Sequence, residues 1–205
     1  QGAGINASLA GGTVTSSGAG GTFVVNSSAN PGNFSGSITG AGLAFSRTGS
    51  NSLNLLGANS YGGATLLNGG TTVLSDAGTI SGTSAIDINY AALTLSNTGL
   101  INMNDRLNNA PISLRGGTIT YQGRAQTAST ETIGGVTVAQ GLNTVTVTAG
   151  GTGVNAADLT IGSLAQSAAG GGVLNITGTN LGQAGSNVRL VVSGASAANV
   201  ISGGL

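Results

Sequence analysis

The chain has 205 residues, 39 of them Gly, with only 5% charged and 3% aromatic residues and no Cys, His or Trp. Without Cys and His there can be no thiolate metal site, thiol nucleophile or Ser-His-Asp set. Five Arg balance five acids with no Lys and no basic patch, which argues against nucleic acid or an anionic membrane as partner.

Scarce bulky residues also limit the interior. Three Phe, three Tyr and one Met cannot fill a wide core. A column one side chain deep, repeated along an axis, can be filled by Val, Ile, Leu, Ala and Thr. Disorder is not expected, because it needs low hydropathy together with high net charge.

In chain order, residues 1–29 are the most Gly/Ser/Ala-rich and alternate most weakly. They are expected to be solenoid of lower quality, with a flexible lead-in or a strand donated to a neighbour as alternatives. After the Pro31-Gly32 turn come short period-two bursts: Leu53-Asn54-Leu55, Ile86-Asp87-Ile88, Leu93-Thr94-Leu95, Ile112-Ser113-Leu114, Ile119-Thr120-Tyr121, Val136-Thr137-Val138, Val145-Thr146-Val147 and Leu174-Asn175-Ile176. Each predicts a strand with one face inward. Turn formers such as Asn68-Gly69, Gly116-Gly117 and Gly150-Gly151 separate them. Gly interrupts every window long enough for three helical turns, so almost no helix is expected.

Gly-Gly-Thr recurs at Gly11, Gly20, Gly69, Gly116 and Gly150 with irregular spacing, a degenerate repeat. Pairing like strands gives a coil of roughly 20–26 residues, hence about nine coils and a rod on the order of 40 Å long. A transmembrane barrel wants strands of ~10 residues and aromatic girdles, and a sandwich leaves the Gly, Ser and Asn content without a role. A parallel solenoid uses both, through side-chain ladders and tight corners. Neither Gln1 onward nor Val200–Leu205 reads as a polar cap, so a further coil or another subunit is expected to stack there. No stretch reaches the ~18 apolar residues of a membrane span, and no leader pattern follows Gln1, so any signal peptide is expected to have been removed or to lie outside this chain.

Residues Gly57-Ala58-Asn59-Ser60-Tyr61-Gly62-Gly63-Ala64-Thr65-Leu66-Leu67-Asn68-Gly69-Gly70-Thr71 resemble the autotransporter-associated β-strand repeat, also called the passenger-associated transport repeat. The family pattern Gly-Ala-Asn-Thr-Tyr-Thr-Gly is departed from at Ser60 and Gly62. Looser segments around Asn33–Leu43, Asn104–Leu107, Arg115–Thr118, Glu131–Gly134 and Gly178–Gly182 extend the resemblance over roughly residues 31–192. It implies a right-handed β-helix in the exported part of a larger bacterial polypeptide, and fixes neither ligand nor anchorage.

Some parallel β-helices cleave polysaccharides with clustered acids. Here Asp76, Asp87, Asp105, Glu131 and Asp158 are scattered; only folding onto adjacent coils could bring Asp76 and Asp87 together, and solvated loop acids are the expectation. Asp105-Arg106 is weighed as a ligand site and read as a local pair or a contact bracing the turn before Pro111. Tyr61, Tyr90 and Tyr121 could stack as a sugar-binding stripe; packing at a corner or core is favoured. No Gly-Gly-x-Gly-x-Asp calcium repeat occurs, and Gly40-Ala41-Gly42 is too weak for a dinucleotide site. The sequons at Asn6, Asn26, Asn33 and Asn175 are read as chance in a Ser/Thr-rich chain.

The expectation is therefore one all-β module over residues 1–205, a right-handed parallel β-solenoid and not an enzyme, with no catalytic, cofactor-binding or metal residue and no cofactor. Its expected role is structural or adhesive, at a cell surface or in an extracellular fibre. Copies of itself or flanking solenoid repeats are the expected partners, with polysaccharide as the further partner weighed. The alternatives are a carbohydrate-active β-helix enzyme and a passive spacer.

Overall fold

The computed structural model describes residues 12–16, 20–27, 31–153, 155–181, 183 and 187–194. The ends at Gln1 and Val200–Leu205, where a further coil or subunit is expected to stack, and the Asn6 sequon lie outside them. No helical turn occurs among the described residues.

The first coil holds β1 (Thr13–Thr15), β2 (Gly21–Asn26) and β3 (Gly32–Phe34). The next three repeat that order: β4 (Ser37–Thr39), β5 (Leu43–Thr48) and β6 (Ser52–Leu55); β7 (Ala58–Asn59), β8 (Thr65–Asn68) and β9 (Thr71–Leu74); β10 (Thr79–Ile80), β11 (Ile86–Asn89) and β12 (Ala92–Ser96). A loop over residues 97–111 then replaces one strand, followed by β13 (Ile112–Arg115) and β14 (Thr118–Gln122). Next, β15 (Ala128–Thr148) runs through all three sides of a coil without a break. β16 (Ala156–Gln166) covers two sides, β17 (Gly172–Gly178) the third, and β18 (Val188–Val192) starts a further turn.

All these strands pair in parallel, coil upon coil. The chain is thus a parallel β-solenoid with three faces. The first face carries β1, β4, β7 and β10, then residues 128–133 of β15, the start of β16, and β18. The second carries β2, β5, β8, β11 and β13, and the third β3, β6, β9, β12 and β14. Because β15 turns both later corners in one strand, the second and third faces, with β18 of the first, join into a single 14-stranded sheet that curls around the interior.

Two opposing stacks fill that interior. On the third face Leu53, Thr72, Leu93, Ile119 and Val145 lie one above another, beside Leu55, Leu74, Leu95, Tyr121 and Val147. On the second face Thr65, Ile86, Ile112 and Val136 stack beside Leu67, Ile88, Leu114 and Val138. All of them are buried. Every buried aliphatic side chain of this size contributes about 1.5–3 kcal/mol, so a column one side chain deep suffices when it is repeated.

Coil length is not constant. Thr71 sits beside Ser52, Thr144 beside Thr118 and Asn175 beside Thr144, so a turn takes 19 residues early, 26 midway and 31 late. Seven rungs stand on each of the second and third faces among the described residues, where an even 20–26-residue coil suggested roughly nine. The longer late turns use more chain per rung.

Glycine has a specific place in this stack. A Cβ at Gly57 would fall on the carbonyl oxygen of Gly36, one at Gly36 on that of Gly12, and one at Gly78 on that of Leu55. Successive coils approach backbone to backbone at this corner, and only a residue without a side chain fits.

Candidate functional site

The acids do not converge. Asp76 Oδ1 accepts the Leu100 N–H at 2.6 Å, bracing the 97–111 loop. Asp87, facing outward on β11, meets Arg115 Nε at 3.4 Å one coil further on. Asp158 pairs with Arg189 across adjacent rungs of the first face, where the guanidinium holds its carboxyl below the usual carboxylate range. Asp105 is exposed and has a φ of 62°. Among the described residues no three His, Cys, Asp or Glu side chains lie close enough to share a metal ion.

Asp105 and Arg106 do not form a pair. Arg106 turns inward and is fully buried. Its Nη1 donates to the carbonyls of Gly78 at 2.6 Å and Asp76 at 3.1 Å, and its Nη2 to the Ser96 carbonyl at 2.9 Å and Asn97 Oδ1 at 2.8 Å. The Arg106 backbone N–H donates to Glu131 Oε1 at 2.8 Å. The loop is braced as the sequence suggested, but by a guanidinium gathering carbonyls of two coils and not by an ion pair.

Glu131 is the one buried carboxyl among the described residues. Its Oε2 has no partner. Burial pushes the carboxyl up to about 8, against the pull of the Arg106 N–H and guanidinium. Tyr121, whose hydroxyl accepts from Asn97 Nδ2 at 3.3 Å, is also raised by burial and by Glu131. A perturbed acid beside a guanidinium and a phenol has the composition of a catalytic site. Its placement does not fit one: Glu131 is 1% and Arg106 0% exposed, so a polymer substrate has no approach to either. The cluster holds the inserted loop to the stack.

The same device recurs. Arg47, fully buried where β5 turns towards β6, donates from Nη1 to the carbonyls of Gly49 and, one coil on, Gly69. Arg124 Nη1 donates to the Gly99 carbonyl. Asn59 spans coils likewise: its Oδ1 accepts the Ile38 N–H at 2.9 Å while its Nδ2 donates to Gly57 O and Thr79 O. Asn143 joins the Gly117 N–H to the Val173 carbonyl. These side chains satisfy corner groups that the ladders leave unpaired.

The three tyrosines do not make a stripe. Tyr61 is core, its ring 5.9 Å from Phe45 and its hydroxyl 2.6 Å from Thr65 Oγ1. Tyr121 is core as well. Tyr90 is 69% exposed at a φ of 47°, with its ring over Gly116. A continuous sugar-stacking surface is therefore absent among them.

The most regular surface is the outward side of the third face. Thr118 and Thr120 stand beside Thr144 and Thr146, and these beside Asn175 and Thr177. The ladder from β6 to β17 keeps register throughout, whereas the second face shifts between Leu114 and Arg115. The sequence predicts each of these strands and side-chain ladders between coils, but not which face carries the Thr ladder. Comparison of the chain with protein-family models, curated proteins and solved structures gives no match.

Proposed function

We propose that this chain is a non-enzymatic structural or adhesive module of a bacterial extracellular surface protein or fibre, in which rods extend by adding further coils end to end. The observation that supports it best is the continuous parallel ladder: each rung presents to the next a row of N–H and C=O groups, which another coil can continue. The scattered acids and the enclosure of Glu131 favour a non-enzymatic role. The resemblance of Gly57–Thr71 to the autotransporter-associated repeat supports an exported setting.

Light scattering over a concentration series, with negative-stain microscopy, tests the assembly. Rods that lengthen along their axis with concentration are expected; strictly monomeric particles at the highest concentration refute end-to-end growth. Incubation with acidic and neutral polysaccharides tests the rest. Release of reducing ends or unsaturated sugars would overturn the non-enzymatic reading.

A further inference from the structure

We propose that the outward side of the third face binds ice. The inference starts from periodicity. Neighbouring rungs of a ladder lie ~4.8 Å apart and alternate residues along a strand roughly 6.6 Å apart. Thr118, Thr120, Thr144, Thr146, Asn175 and Thr177 occupy the nodes of such a grid over three consecutive rungs, and Thr94 continues one column to a fourth. A repeating grid of this kind has its natural complement in a partner that is itself periodic in two dimensions.

The chemistry of the grid narrows the partner. No outward residue of the third face from β6 to β17 is charged, and among the described residues the two ion pairs, Asp87–Arg115 and Asp158–Arg189, stand on the second and first faces. A charged polymer or mineral has nothing to pair with here. Sugar rings stack on aromatic planes, and of the three tyrosines two are core and Tyr90 sits at the corner beside this face. Ice is uncharged, excludes ions as it grows, and both donates and accepts hydrogen bonds at every lattice site.

Threonine suits that lattice because each side chain offers a hydroxyl that donates and accepts and a methyl group that water encloses. Thr146 Oγ1 and Thr177 Oγ1 already bond to each other at 2.8 Å across rungs, which fixes part of the grid. Thr94, Thr118, Thr120 and Thr144 have no side-chain hydrogen bond to protein, leaving their hydroxyls for water. The nodes are carried on a continuous ladder over a packed core, so little side-chain or backbone freedom remains to be lost on binding. The proposal does not require end-to-end growth of the rod.

The test is partition of the fluorescently labelled chain into a slowly growing ice hemisphere, with serum albumin as the excluded control. The wild-type chain is expected to enter the ice and to slow recrystallisation of a frozen sucrose film. Thr120→Tyr and Thr146→Tyr, each placing a bulky β-compatible side chain in the grid, are expected to lose partition to the albumin level with far-UV circular dichroism unchanged. Thr137→Tyr, outward on the second face, is expected to keep it. Exclusion of the folded wild-type chain from ice overturns the proposal whatever the variants do, as does equal partition of all three variants. Exclusion from ice with retention on crystalline cellulose or chitin, or with face-to-face pairing of rods, assigns the face to polysaccharide or to a second copy instead.

Discussion

Glu131 ties stability to pH in a direction opposite to most carboxylates. Folded, it keeps its proton up to about pH 8, whereas a carboxyl in the unfolded chain loses it near pH 4 to 5. Between those values the folded state binds more protons, so the contribution is fully present below the unfolded pKa and is lost as pH rises through the folded one. The melting temperature of the wild-type chain should fall between about pH 5 and pH 9, an effect on the order of a few kcal/mol, and Glu131→Gln should remove most of that slope. The exposed Asp158–Arg189 pair works the other way, below the usual carboxylate range, and adds little because it is solvated. A variant as pH-sensitive as the wild type would show that Glu131 is ionised in the folded protein. Arg106 is more demanding, since its planar fork reaches three carbonyls and Asn97 at once. Arg106→Met should cost about 3–5 kcal/mol in urea unfolding and Arg106→Lys should restore only a minor part, because an ammonium cannot reproduce the fork. The burial of Arg47 and of Glu131 was legible in principle: alternation through Phe45-Ser46-Arg47 and through Glu131-Thr132-Ile133 puts the charged residue on the inward side, whereas Arg106 lies on a loop where no alternation applies. The habit of treating Arg and Glu as surface residues hides that signal, and no local rule says which corner carbonyls need a donor.

Strands were the easiest elements to read. Each of the eight alternating bursts lies within a strand of the second or third face, because a residue pair flanking a polar one is enough when the strand is four or five residues long. The first face was not visible, since β7 and β10 have two residues each and carry Asn59 at an inward position. The continuity of β15 was equally hidden: Gly134, Gly135 and Gly141 look like breaks, yet the chain bends there without leaving the ladder. Gly-to-Ala changes separate the corner glycines from the others. Gly57→Ala should destabilise by about 1–3 kcal/mol through collision with the coil beneath, whereas Gly12→Ala, with open space around the added carbon, should lie within about 0.5 kcal/mol of wild type. Equal melting temperatures for the two would remove the close-approach argument.

Taken whole, the molecule is quasi-one-dimensional, each coil pairing its strands with the coils on either side. Its unfolding should therefore depart from a single cooperative step. Amide exchange in the native state should be slowest in β9, β12 and β14, which have paired rungs on both sides, and faster in β3 and β18. Uniform exchange across all rungs would point to a globally cooperative unit. At this scale the sequence was informative because composition alone ruled out a wide core. The length of individual turns was not legible, since the irregular Gly-Gly-Thr spacing carries no count of residues per coil.

The spread from 19 to 31 residues per turn has a consequence for how such a chain can change. Inward stacking is decided rung by rung, so additions and deletions at a corner are absorbed locally and leave the columns above and below untouched. Ala168-Ala169, exposed before Gly170 and Gly171 with free space around both glycines, is one such point. A foreign peptide grafted there would project sideways from the rod, making the scaffold a display platform whose decoration and whose length vary independently.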